Sequence, residues 1–154
     1  MAELERHNDD RIDKLALELL NMPRKEYVAT HFFTKGVYAR QLFMPAGEII
    51  ISKIHKTQHQ YIISKGIVEV QIDMDEWKLL EAPFHGITEI NTRRVLYIHE
   101  DCIWTTFHPI EGITGEENEL SDIEKDEIVS KIESMIIEPH ENELLNTKNN
   151  SLTN

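Results

Sequence analysis

One cysteine, Cys102, in 154 residues rules out an intrachain disulfide and any zinc ribbon. No basic motif stands near it to lower its pKa, so it reads as an inert thiol. No apolar run is long enough to span a bilayer, and the opening MAELERHNDDR has no signal-peptide hydrophobic region. A soluble, cytoplasmic protein is expected, with no membrane partner. Basic residues are scarce: 16 Lys and Arg stand against 28 Asp and Glu, a net charge of −12. Such a chain does not wrap duplex nucleic acid by neutralising its phosphates, although a nucleotide-sized ligand in a local basic pocket stays compatible with it. There is no internal repeat, nucleophile elbow, phosphate loop or carboxylate pair of recognisable spacing.

What is present suffices for one domain with a real core, since hydrophobic residues make up 40% of the chain. Residues 9–22 predict a helix, with Ile12, Leu15, Ala16, Leu19 and Leu20 at helical spacing and Pro23 ending it. YVATHFF and VYARQLFM then flank a turn at Lys35-Gly36, with Tyr38, Arg40 and Leu42 on one face. Further β segments follow at short intervals: Ile49–Ile51, Tyr61–Ser64, Ile67–Met74, Trp77–Leu80, a strand beginning at 81–84, Arg94–His99 and Ile103–His108. Turns are expected at Lys65-Gly66 and His99-Glu100-Asp101, a tight hairpin at 73–76 and a loop over 86–92. This spacing indicates an all-β sandwich or barrel. Past Pro109 an exposed linker leads to Ser121-x-x-Glu124, a capping box that opens a helix to about Ile137. Ile128, Val129, Ile132, Met135 and Ile136 form its apolar side. The division is an N-terminal helical segment (1–28), a β-barrel (29–110), a linker and C-terminal helix (111–139) and a disordered tail (140–154).

The organising stretch is GEIIISKIHKTQHQYIISKG, Gly47 to Gly66. It resembles the first motif of the cupin superfamily: a glycine, two histidines one residue apart, a glutamate and a closing glycine. Laid on that motif, Lys53 takes the place of the first metal-binding histidine, His55 the second, and His59 the glutamate. Arg94, at the end of Asn91-Thr92-Arg93-Arg94, takes the histidine place of the second motif, whose glycine and proline are missing here. In detail the chain is similar to small, uncharacterised cupin-like proteins of bacteriophages and prophages, on GVYARQLFMPAGE, KIHKTQHQYIISKG, LEAPF and HEDCIWTTFHP. The resemblance covers residues 30 to 108. It implies a cupin-like small β-barrel or jelly roll with flanking helices, a homodimer or higher homo-oligomer formed through sheet edges, and a location inside an infected or lysogenic bacterium.

Lys53, His55, His59 and Arg94 are the candidate ligand-binding residues. Strand alternation puts Lys53 and His55 on one face, the inner one if Ile49 and Ile51 line the barrel. The competing arrangement has this face solvated, Ile50 and Ile54 inside, and Arg94 paired with a carboxylate such as Glu89 or Glu100. Two fixed cations point to a small anionic ligand: a carboxylate, a phosphate or a nucleotide, in a phage setting a host signalling metabolite. The alternative is a metal-dependent cupin enzyme, an isomerase or oxygenase, with His55, His59 and His108 holding zinc, iron, nickel or copper. His99 is the second choice for the third ligand. A virion or assembly scaffold is the third class. His31 and His85 read as loop caps, and Trp104 as core.

Overall fold

The computed structural model describes residues 12–15, 18, 27–72, 76–111 and 120–137. β1 (Val28–Thr34) and β2 (Val37–Met44) form a hairpin about Lys35-Gly36, where Gly36 takes a φ of +81°. β3 (Ile49–Ile51) is short. β4 (His59–Ile72) and β7 (Arg94–Pro109) are long antiparallel partners, with β5 (Trp77–Glu81) and β6 (Phe84–Thr88) between them in sequence.

β4 and β7 each run through two halves of one sheet. In one half the order is β1-β2-β7-β4-β6, and in the other it is β3-β7-β4-β5. The change of neighbours falls where the β4–β7 register shifts, between Ile63 and Val68. Gly66 sits there with a φ of +101°, and a β-carbon on it would lie 2.5 Å from the Asp101 carbonyl oxygen. This is a β-bulge that only glycine fits, and it bends the strand without ending it. The turns expected at Lys65-Gly66 and at His99-Glu100-Asp101 are therefore both absent: the backbone stays extended through each. The loop expected over 86–92 is also corrected, because residues up to Thr88 pair with β4 as β6.

The bend folds the two halves over a shared core. Met44, Tyr61, Ile63 and Trp104 of one half pack with Val68, Val70, Leu80, Leu96 and Ile98 of the other. Ile50 joins this core while Ile49 is 43% exposed, so the inward residue of β3 is Ile50, and Ile49 and Ile51 do not line the interior. The all-β core with helices beside it is the architecture observed.

The C-terminal helix (Asp122–Ile136) opens on the expected capping box, with Ser121 and Glu124 each bonding the other's backbone N–H. Ile132 and Ile136 pack with Phe33, Tyr38 and Ile110 in a second core, flanked by Ile128, Val129 and Ile137. Helical spacing predicts Met135 on that side, but it is 48% exposed. Of the expected N-terminal helix, residues 12–15 and 18 are helical; Ile12 is fully buried and Asp13 pairs with the buried Arg93. The rest of that helix, most of the hairpin at 73–76, most of the linker, and the tail lie outside the described residues. No helix among the described residues is long and apolar enough to cross a membrane.

Candidate functional site

Strand registers decide which side chains share the inner face of the β1-β2-β7-β4-β6 half, because residues directly opposite in a ladder point the same way. One row runs Phe33, Tyr38, His108, then His59 and Thr88. The next runs His31, Arg40, Thr106, Tyr61, Gly86, and the third runs Ala29, Leu42, Trp104, Ile63, Phe84. The third row belongs to the main core. The first two carry the polar groups.

His55 reaches this face by another route. β3 ends at Ile51, so no strand alternation relates Lys53 to His55. The chain is irregular over 52–54, and His55 is then fixed by its neighbours. Its backbone bridges Ile137, its carbonyl accepts from Asn91 N–H at 2.8 Å, and Lys56 N–H donates to the Ile136 carbonyl at 2.7 Å. The end of the C-terminal helix thus holds the His55 segment in place.

Three imidazoles meet as a result. Ring centroids are 4.4 Å apart for His55 and His59, 4.6 Å for His59 and His108, and 6.1 Å for His55 and His108. Tyr38 stacks on the outer side of His108 at 5.9 Å. Burial, then the other imidazoles of the cluster and Arg40, pushes His108 down to about 3. Burial, then His59, Arg94, Arg40 and Lys53, pushes His55 down to about 4. His59 is lowered by burial and, less, by Arg94, against a hydrogen bond to Thr57 that raises it. All three are neutral at pH 7. Since a carbonyl only accepts, His59 Nδ1–H donates to the Thr57 oxygen at 3.3 Å, leaving Nε2 as its lone pair. Nδ1 of His55 and Nδ1 of His108 are buried without a hydrogen-bond partner.

Arg94 is 6% exposed. Its guanidinium carbon lies 4.9 Å from the centroid of the Tyr61 ring, and Nη2 donates to the Ile87 carbonyl at 3.3 Å. Nε is buried and unbonded. Among the described residues no carboxylate pairs with Arg94; Glu89 is taken by Gln58 at 2.9 Å instead. The carboxylate-paired Arg94 of the competing arrangement is therefore not seen. Lys53 is half-buried outside any strand, near enough for its charge to act on His55.

Several neighbours of the cluster were not singled out from sequence: Tyr38, Arg40, Thr106 and Tyr61. The signal for two of them was there, since Tyr38 and Arg40 share a face of β2. What sequence lacks is the pairing of that face with His108. His31 is no loop cap: its Nδ1 hydrogen-bonds the Tyr38 hydroxyl at 2.7 Å. His85 instead bonds Gln60 on the surface, and His99 pairs with Glu69 away from the cluster. Trp104 is core, stacked on Tyr61 at 4.4 Å. Cys102 is fully buried, its thiol pushed up to about 11 by burial.

No protein-family model and no curated protein matches this chain. Solved structures do resemble it. One is an RmlC-like cupin with a double-stranded β-helix fold from Methanocaldococcus jannaschii, 15% identical over 58% of this chain and 93% of its own, with a TM-score of 0.44. Another is a cupin-2 domain protein from Shewanella frigidimarina, 10% identical over 60% of this chain and 90% of its own, at 0.46. A third is the DMSP lyase DddQ from Ruegeria pomeroyi, 14% identical over 58% of this chain and 49% of its own, at 0.48.

The donor chemistry of the cluster suits a transition metal: neutral imidazoles, one with a free Nε2 and two with orphaned Nδ1 atoms. The arrangement is less suited, because among the described residues no three donors stand so as to hold a metal ion together. Rings at these distances would need to turn first. What the site offers as it stands is a buried cation beside neutral hydrogen-bonding rings.

Proposed function

We propose that this chain binds a small anionic molecule inside its β-barrel, with Arg94 as the charged anchor. The observation that carries this reading is a buried guanidinium with no carboxylate beside it among the described residues. An uncompensated buried charge costs several kcal/mol, roughly, even after relaxation, and a bound anion removes that cost. The face of Tyr61 stabilises the cation in the meantime. Neutral His55, His59 and His108 supply hydrogen bonds without adding charge, and Lys53 is the second cation at the rim. Carboxylates and phosphates fit the guanidinium fork. The proposal extends to a host metabolite as ligand, met in an infected bacterium, and to a homodimer as the working form; the sequence's resemblance to phage cupin-like proteins supports this extension.

The test is calorimetric titration of the full chain with acetate, inorganic phosphate and nucleotides, repeated with Arg94→Gln. Loss of about 1.5–3 kcal/mol of binding on losing a hydrogen bond to a charged group, roughly tenfold to a hundredfold in Kd, is the expected result. Anion binding indifferent to Arg94→Gln would refute the reading.

A second reading has a specific observation behind it, the orphaned Nδ1 atoms of His55 and His108. In that reading His55, His59 and His108 hold a divalent zinc, iron, nickel or copper ion, which would supply Lewis acidity. Arg94 would then orient an anionic substrate beside it, as in an isomerase or oxygenase.

A further inference from the structure

We propose that the ligand carries two anionic groups, and that Arg40 is the specificity-determining residue for the second. This deepens the anion-binding reading and rests on it.

Arg40 lies on the inner row His31, Arg40, Thr106, Tyr61, Gly86. Arg94 lies over Tyr61 in that same row. Arg40 and Tyr61 are two strands apart, with Thr106 of β7 between them, which separates their backbones by roughly 10 Å. One arginine therefore flanks the imidazole cluster from the β2 side and the other from the β4–β6 side. The middle of the row is held by the small side chain of Thr106, which also bonds His108 Nε2 at 3.0 Å. The charges act accordingly. Arg94 bears on His55 and His59, whereas Arg40 bears on His55 and His108.

Arg40 differs from Arg94 in having an acid nearby. Its Nη1 stands 3.5 Å from Glu133 Oε1 of the C-terminal helix, both side chains are partly exposed, and Nε is buried with no partner. At that distance the pair is a loose ion contact, not a bidentate clamp of the kind arginine forms with carboxylate. Glu133 thus serves as a replaceable internal anion. A ligand with two carboxylates, or a carboxylate and a phosphate, places one group on Arg94 and competes with Glu133 for the other arginine. A ligand with one anionic group engages Arg94 alone.

Acetate and succinate, titrated into the full-length chain, separate these cases. Succinate is expected to bind the wild type more tightly than acetate. Arg40→Gln should weaken succinate by about tenfold and acetate by much less, as expected for one charged hydrogen-bonding partner lost to the second anionic group only. Arg40→Lys, which keeps the charge, should restore much of the loss and guards against a folding defect. Glu133→Gln, by removing the competitor, should tighten succinate several-fold, roughly the value of an exposed ion pair. A merely structural Arg40–Glu133 contact would give no gain on Glu133→Gln. If both probes bind through Arg94 while neither Arg40→Gln nor Glu133→Gln changes succinate, the two-anion inference falls and the anion site stands. If neither probe binds in any form of the protein, both fall together.

Discussion

Gly86 stands opposite Tyr61 in the β4–β6 ladder, and the phenol ring fills the space where a side chain would be. A β-carbon at Gly86 would come within 2.4 Å of Tyr61 Cζ and Oη. Tyr61 cannot retreat easily, because its ring is stacked on Trp104 and lies under the Arg94 guanidinium. A backbone glycine thus sets the position of the cation at the centre of the site.

Gly86→Ala is accordingly expected to destabilise the protein. Alanine restricts the unfolded chain, which alone would stabilise by about 0.4–1 kcal/mol. Overpacking against a ring held on both sides costs about 1–3 kcal/mol, so the net change is a loss. Urea denaturation should show a lower midpoint, and anion affinity should fall with it as Arg94 loses its platform. A neutral or stabilising Gly86→Ala would mean that the Tyr61 ring moves freely.

The imidazole cluster makes a prediction about acid. An unfolded chain protonates each histidine near 6.5, whereas the folded chain holds His55 to about 4 and His108 to about 3. Between those values the unfolded state binds protons that the folded state refuses. Stability from these residues is intact above about pH 6.5 and falls as the pH is lowered through the window down to the folded pKa values. The slope is at most about 1.4 kcal/mol per pH unit for each histidine. Thermal midpoints measured from pH 7.5 to 4 should drop over that range, and His55→Gln should flatten the curve. A flat wild-type profile would show that the imidazoles are solvated.

Much of the fold was legible because alternation and glycine spacing are local properties. The β1–β2 hairpin about Lys35-Gly36 and the capped helix from Ser121 follow from adjacent residues alone. The two missed bends have a shared cause. Gly66 reads as a turn on its own sequence, but it faces Asp101 and Cys102 of β7, whose backbone leaves no room for a side chain. Glycine here answers a neighbouring strand, which a one-dimensional reading does not contain. In the candidate site, His55, His59 and Arg94 are picked out by motif spacing and His108 by the strand expected beside the central one, and the structure groups the three imidazoles. Arg40 and Tyr61 are not picked out, because what recommends them is a row across five strands.

Metal affinity tests the second reading independently of anions. Protein purified without a histidine tag and titrated with zinc should bind one equivalent if the His55, His59 and His108 rings can turn to meet an ion. Binding should release no protons at pH 7, since all three rings are already neutral. His55→Ala should then abolish it, and His99→Ala should leave it unchanged because His99 pairs with Glu69 elsewhere. Zinc binding lost in neither variant would assign the metal to another place on the chain.

The last prediction links the C-terminal helix to the site. Its first turn is fixed by Ser121 and its end holds the His55 segment, through the His55–Ile137 bridge and the Lys56 N–H bond to the Ile136 carbonyl. Segment 52–54 belongs to no strand; these contacts and Asn91 N–H, with the two Ser52–Arg94 bonds at its start, keep His55 beside His59 and His108. Ser121→Ala removes a cap worth about 1 kcal/mol at a point about a helix length from His55. If the helix is a positioning strut, its fraying propagates: amide exchange at Lys56 should quicken roughly fivefold, the equivalent of that free energy, while amides at Ile63 and Trp104 in the main core stay as slow as before. The His55 imidazole should also titrate closer to its ordinary value, because a loosened segment returns the ring to water. Uniform acceleration at Lys56, Ile63 and Trp104 would instead mean that the helix and barrel unfold as one unit, and that His55 owes its place to the barrel alone.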